Sequence, residues 1–126
     1  MKAFMDEDFL LNNQTAQALY HGTAEALPIL DYHCHISPKE IAENKPLGNI
    51  SKVWLGGDHY KWRVMRASGV PERNITGDGS DWEKFFAFAA ALPDMIGNPI
   101  CHWSHMELKR GFGIDTVLNA ANAKSI

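Results

Sequence analysis

A chain of 126 residues, 45% hydrophobic and 21% charged, has the material for one modest domain with a real core. Its net charge of -3, with no basic tract interleaved with aromatics, argues against a nucleic-acid partner, and no apolar run approaches membrane-spanning length. The acidic opening through Asp6-Glu7-Asp8 does not read as a targeting peptide, and two widely separated cysteines, Cys34 and Cys101, read as reduced thiols of a cytoplasmic protein.

Residues before Gln14 read as irregular, with Phe9, Leu10 and Leu11 expected to dock against something larger. Asn13 is placed to cap a helix from about Gln14 to Ala26, on which Ala16, Leu19, Tyr20, Ala24 and Leu27 recur at helical spacing. Pro28 closes that segment, and Ile29-Leu30 predicts the start of a short buried strand. On a strand, His33 and His35 point to one side, roughly 6.5 to 7 Å apart. Two imidazoles so placed can share one divalent ion, and neutral His nitrogens are the commonest ligands for zinc and its relatives. Asp31 shares their face and is expected to orient an imidazole, whereas Tyr32 and Cys34 point away. The alternative is two histidines at a strand mouth with no metal, since His-x-His is only moderately specific.

Beyond the histidines, Ser37 and Glu40 have capping-box spacing and Pro38 occupies the first position of a helix that ends before Pro46-Leu47-Gly48-Asn49. Ser51 is expected to cap a short turn through Val53-Trp54-Leu55, stopped by Gly56-Gly57. Asp58 then caps a helix from His59 to about Ser68, with Gly69 as its stop. His59 and Tyr60 fall in its first turn, where backbone N–H groups and the helix dipole favour an anion. The alternative there is an ordinary amphipathic helix, with Tyr60, Val64 and Ala67 inward and Lys61 and Arg63 in solvent.

The loop Asn74-Ile75-Thr76-Gly77-Asp78-Gly79 completes neither a phosphate loop nor a calcium loop. Ser80 and Glu83 form a second capping box, opening a helix from Asp81 to Ala91. Phe85, Phe86, Phe88, Ala89 and Leu92 cover so much of its surface that it is expected to be largely buried or to face a partner. After Gly97-Asn98-Pro99, a helix is predicted from about Ile100 to Arg110 before Gly111. His102 and His105 lie three apart on it, but no neighbouring carboxylate supports a metal site, so both read as packing or surface residues. Thr116 is placed to start a last helix through Ala123.

Four stretches together carry a resemblance: residues 4–11, Asp31-Tyr32-His33-Cys34-His35, Trp54-Leu55-Gly56-Gly57-Asp58-His59-Tyr60-Lys61-Trp62-Arg63, and Gly97-Asn98-Pro99-Ile100-Cys101-His102-Trp103-Ser104-His105. In these segments the sequence resembles the N-terminal quarter of the bacterial uronate isomerases (glucuronate/galacturonate isomerases) of the amidohydrolase superfamily. The resemblance implies a (β/α)8 metal-dependent hydrolase-like barrel with its site at the C-terminal ends of the strands. On that expectation the chain is mainly α with one or few short strands. Residues 1–36 would be an N-terminal segment, helix and first barrel strand, and 37–126 a mainly helical insertion leading back to the barrel. His33 and His35 would be ligands of a divalent metal, with zinc first and Mn, Fe or Co as alternatives. His59 and Tyr60 would be catalytic, and His59, Tyr60 and Arg63 would bind a small hexuronate.

The implied reaction interconverts D-glucuronate with D-fructuronate and D-galacturonate with D-tagaturonate through an enediol. The family's catalytic base, an aspartate, and its carboxylate-gripping arginines are expected beyond residue 126, since a whole barrel needs about 250 residues or more. The last eight residues, Asn119 to Ile126, fit the family less well. The chain alone is therefore expected to be an inactive, self-associating N-terminal fragment. Two further readings stay open: a non-catalytic helical association module, and a metal-dependent hydrolase or phosphoesterase that shares the His-x-His motif.

Overall fold

The computed structural model describes residues 3–126, and the chain divides into two units, Met1–His33 and Cys34–Ile126. The described residues form helices, turns and irregular segments, without a strand.

The first unit holds α1 (Gln14–Gly22), where the Asn13 side chain accepts the Ala16 amide at 2.8 Å. The helix stops four residues short of the predicted end, because Thr23 leaves helical geometry (φ -146°) and Ala24–Ala26 close a separate 3-10 turn. His21 reaches back to Asp8 (2.9 Å) and forward to Glu25 (3.1 Å). Nothing among the described residues of this unit is buried.

The strand expected from Ile29 does not form. A strand is stable only when its N–H and C=O groups meet a neighbouring ladder and one face is covered. Ile29 and Leu30 are instead 87% and 91% exposed.

The second unit carries α2 (Pro38–Ala42), α3 (Ile50–Leu55), α4 (His59–Ala67), α5 (Asp81–Ala91) and α6 (Pro99–Phe112). Pro38 opens α2 as expected, but Ser37 makes no side-chain cap, so the box with Glu40 is absent. In α3 the cap is Asn49, which accepts the Lys52 amide at 3.0 Å; Ser51 lies inside the helix and is buried. Asp58 caps α4, Gly69 ends its last turn at φ +77°, and the Ser80–Glu83 capping box opens α5, all as expected.

Trp54 and Leu55 of α3, Met65 of α4, Phe85 and Phe88 of α5, and Leu108 of α6 meet in one core with Ile75, Leu92 and Leu118. Phe85, Phe88, Ala89 and Leu92 are buried, while Phe86 is 42% exposed. The helix α6 runs through Gly111, which costs about 1 kcal/mol relative to Ala but does not stop a helix. Its stop is Gly113, whose left-handed φ of 68° turns its amide to the Lys109 carbonyl.

No α-helix starts at Thr116. Asn119 and Asn122 capture the local backbone instead: Asn122 Oδ1 accepts the Asn119 amide, Asn119 Oδ1 accepts the Ala121 amide, and Asn122 Nδ2 donates to the Val117 carbonyl. This closing segment is pinned to α6 by His105, which is 4% exposed. Its Nδ1 lies 2.6 Å from the Cys101 carbonyl and its Nε2 accepts the Leu118 amide at 3.0 Å. His105 is thus a packing residue, as the absence of a neighbouring carboxylate suggested.

Candidate active site

The side chains with chemical potential converge where the chain enters α4. Asp58 makes the local geometry: Oδ1 accepts the amides of Tyr60 (2.9 Å) and Lys61 (3.2 Å), and Oδ2 accepts the Lys61 ammonium at 3.0 Å. The anion that the first turn favours is therefore the protein's own carboxylate. Burial works against ionising Asp58, but the Lys61 ammonium and the two amides outweigh it and hold the carboxyl below its ordinary value.

The inward face of α4 differs from the amphipathic alternative. Lys61 is buried with Met65, while Tyr60 is 43% exposed and Ala67 faces solvent. A lysine turns inward only where its charge is matched. Here Asp58 matches it, and the ammonium also lies 5.7 Å from the centre of the Trp54 ring. Trp62 ties α4 to α3 by donating its indole N–H to the Leu55 carbonyl at 2.7 Å.

With Lys61 inward, the first turn presents an aromatic cluster outward. The ring of His35 stacks on Tyr60 (centroids 5.4 Å apart, planes 18° off parallel) and lies 5.2 Å from that of His59. His59 and Tyr60 are themselves 4.5 Å apart. The Arg63 guanidinium sits 5.4 Å over Tyr60, one helical turn further on. His35 Nδ1 lies 3.3 Å from Asp58 Oδ1. The structure thus gathers His35, His59, Tyr60 and Arg63 at the start of α4, with His35 beside the Asp58 carboxylate.

His33 belongs to the other unit. There its backbone amide donates to Asp31 Oδ1 at 3.0 Å, so the carboxylate expected to orient an imidazole closes a backbone turn instead. The carboxylate beside His35 is that of Asp58, which the sequence marks only as a helix cap. No local sequence pattern signals that meeting, since the two residues stand twenty-three positions apart.

As a metal ligand, His35 has suitable chemistry: one ring nitrogen beside a carboxylate is the usual support of a ligating imidazole. Among the described residues, however, no three His, Cys, Asp or Glu side chains are grouped to hold an ion. The described residues offer donors, not a complete ligand set. A cavity of about 880 Å³ opens elsewhere in the second unit, lined largely by apolar side chains such as Leu47, Ile50, Trp103 and Phe112, with none of the cluster residues in its wall.

The sequence profile of the glucuronate isomerase family matches residues 1–126. Uronate isomerase of Caldicellulosiruptor saccharolyticus is 63% identical over the whole chain, and that of Bacillus pumilus 58%. The crystal structure of uronate isomerase from Thermotoga maritima superposes with a TM-score of 0.91 over 98% of the chain, at 41% identity. The chain spans 27% of the length of the first and third of these proteins and 26% of the second.

Proposed function

The chain belongs to the glucuronate isomerase family, and on that premise we propose that it supplies one wall of a hexuronate isomerase site. The reaction moves a carbonyl from C1 to C2 of a uronic acid through an enediol, taking D-glucuronate to D-fructuronate and D-galacturonate to D-tagaturonate. Such a step needs polar groups around the two enediol oxygens and a proton relay between them.

The observation that carries this reading is the aromatic cluster of His35 stacked on Tyr60 with His59 beside both, and Arg63 across Tyr60. His59 polarises a substrate oxygen, Tyr60 gives or relays a proton through its hydroxyl, and Arg63 binds the substrate beside them. His33 and His35 are proposed as ligands of a divalent ion, zinc before Mn, Fe or Co. Such an ion supplies Lewis-acid stabilisation of oxygen charge when bound. The remaining ligands, the base that removes the C2 proton and the closed barrel belong in this proposal to the three-quarters of the relatives' length not spanned here.

In an enzyme containing this segment, Tyr60→Phe should lower kcat by about 100-fold or more, the usual scale of general acid–base participation, with little change in KM. A KM-only effect would remove Tyr60 from the chemistry. The same reading places the protein in the cytoplasm, with its two free thiols, and expects it to self-associate. No helix among the described residues is long and apolar enough to cross a membrane. Exposed Trp103 and Phe112 beside the apolar cavity support self-association, and sedimentation of the 126-residue chain tests it.

A further inference from the structure

A smaller cavity, of about 220 Å³, lies where α3 and α5 meet the loop before α5, and none of His35, His59, Tyr60 or Arg63 lines it. Leu55, Trp62 and Ile75 form the apolar part of its wall. The charged part carries two lysines, Lys52 and Lys84, against one carboxylate, Asp81. That carboxylate is already engaged: its Oδ2 accepts the Asn49 side-chain amide at 2.7 Å and lies 3.9 Å from Lys52 Nζ. Thr76, also in the wall, donates its hydroxyl to Glu72, a carboxylate paired with Arg66. Lys84, half-buried and three positions along α5 from Asp81, is left with no carboxylate partner among the described residues. Ser51 is 4% exposed and lines the same cavity, yet its hydroxyl has no hydrogen-bond partner among the described residues.

Both unmatched groups ask for the same kind of partner. An ammonium beside apolar side chains attracts an anion more strongly than one in open water, because the effective dielectric constant is lower. A buried hydroxyl without a partner is costly until it finds one, and an ammonium can only donate. The space corresponds to about seven molecules of liquid water, room for a small oxyanion that keeps part of its hydration. We propose that this cavity binds a small oxyanion of the phosphate class, held by Lys84 Nζ and the Ser51 hydroxyl, with the more exposed Lys52 as a second cation. The bound anion gives Lys84 the counter-charge it lacks and bridges α5 to α3 beside the Asn49–Asp81 hydrogen bond. The site uses none of the residues proposed for the isomerase chemistry, so the two readings stand or fall separately.

The test is a titration of the 126-residue chain with inorganic phosphate, read by amide and indole NMR shifts at constant ionic strength, with chloride in place of phosphate as the control. Phosphate should give saturable shifts in the millimolar range, centred on the amides of Ser51, Thr76 and Lys84 and on the Trp62 indole, and chloride should give none. Lys84→Gln should weaken binding about tenfold or more, the scale of one charge-assisted contact. Ser51→Ala removes a neutral donor and should weaken it less. Lys39→Gln removes the same charge from an exposed side chain on α2 and should leave the affinity unchanged. Shifts that do not saturate, or that spread over the surface lysines, would overturn the proposal. So would unchanged affinity in Lys84→Gln or Ser51→Ala, or equal weakening by Lys84→Gln and Lys39→Gln.

Discussion

The two units of the chain use similar helical signals and reach different kinds of stability. Each contains a nine-residue helix with a side-chain cap, α1 under Asn13 and α4 under Asp58. Yet α1 buries none of its residues, whereas α4 buries Met65 completely and Lys61 almost so. A cap contributes about 1 kcal/mol, and an isolated helix of that length is marginal in water. The difference therefore lies in what the helix packs on. In Cys34–Ile126, α4 has Trp54, Phe88 and their neighbours to join; within Met1–His33 the described residues offer no core.

The largest test of this contrast compares Phe88→Ala with Leu19→Ala. Phe88 is fully buried, so its truncation should cost about 3–5 kcal/mol. Leu19 is 66% exposed, and its loss should change stability by no more than about 0.5 kcal/mol. Urea unfolding read by tryptophan fluorescence follows the second unit, where all four tryptophans lie, and amide hydrogen exchange at α1 follows the first. Comparable losses from the two substitutions would mean that α1 is packed as firmly as α5.

A smaller effect is expected at His105, where the second unit holds its closing segment. His105→Ala removes a buried acceptor from the Leu118 amide and a partner from the Cys101 carbonyl, and should cost about 1–3 kcal/mol. Hydrogen exchange should quicken first at Leu118 and around Ala123. If α6 and the segment after Gly113 lose protection equally, the imidazole stabilises the helix itself and is no clamp.

The same contrast explains which features could be read from the residues. The caps at Asn13, Asp58 and Ser80 were legible because their partners lie within three positions along the chain. The inward turn of Lys61 was not, since helical spacing alone places a lysine in solvent. Only the meeting of Asp58 with the face of Trp54 makes burial tolerable. The segment from Ile29 shows the opposite failure: its apolar pattern suits a strand, but a strand also requires a ladder that no local pattern contains. At the site, His59 and Tyr60 were singled out through the family resemblance, since their place in a capped first turn left an ordinary amphipathic helix open. The pairing of His35 with Asp58 spans twenty-three positions, and composition carries no trace of it.

The smallest predicted effects, from exposed charges, should separate the units by pH. In the second unit, Arg66, assisted by Thr76, holds the Glu72 carboxyl down to about 2 from 4.5. Glu83 is likewise held at about 2, by the Ser80 amide first, then the Ser80 hydroxyl and Arg73. Folded values below the unfolded one mean that these groups stabilise fully above about pH 4.5 and lose that contribution as pH falls towards 2. His21 in the first unit behaves oppositely. Asp8 and then Glu25 raise its pKa above 6.5 against a slight opposing effect of burial. Its contribution is complete below pH 6.5 and is lost as pH rises through the elevated folded value. Amide exchange on the intact chain should therefore show acid loosening the turn at Glu72–Asn74 and the start of α5, and mild alkali loosening the contacts around α1. Since all these groups are exposed, both effects should be modest and should shrink with added salt. Acid and alkali loosening the same unit would mean that the charges at His21 and at Glu72 and Glu83 do not stabilise the units in which they lie.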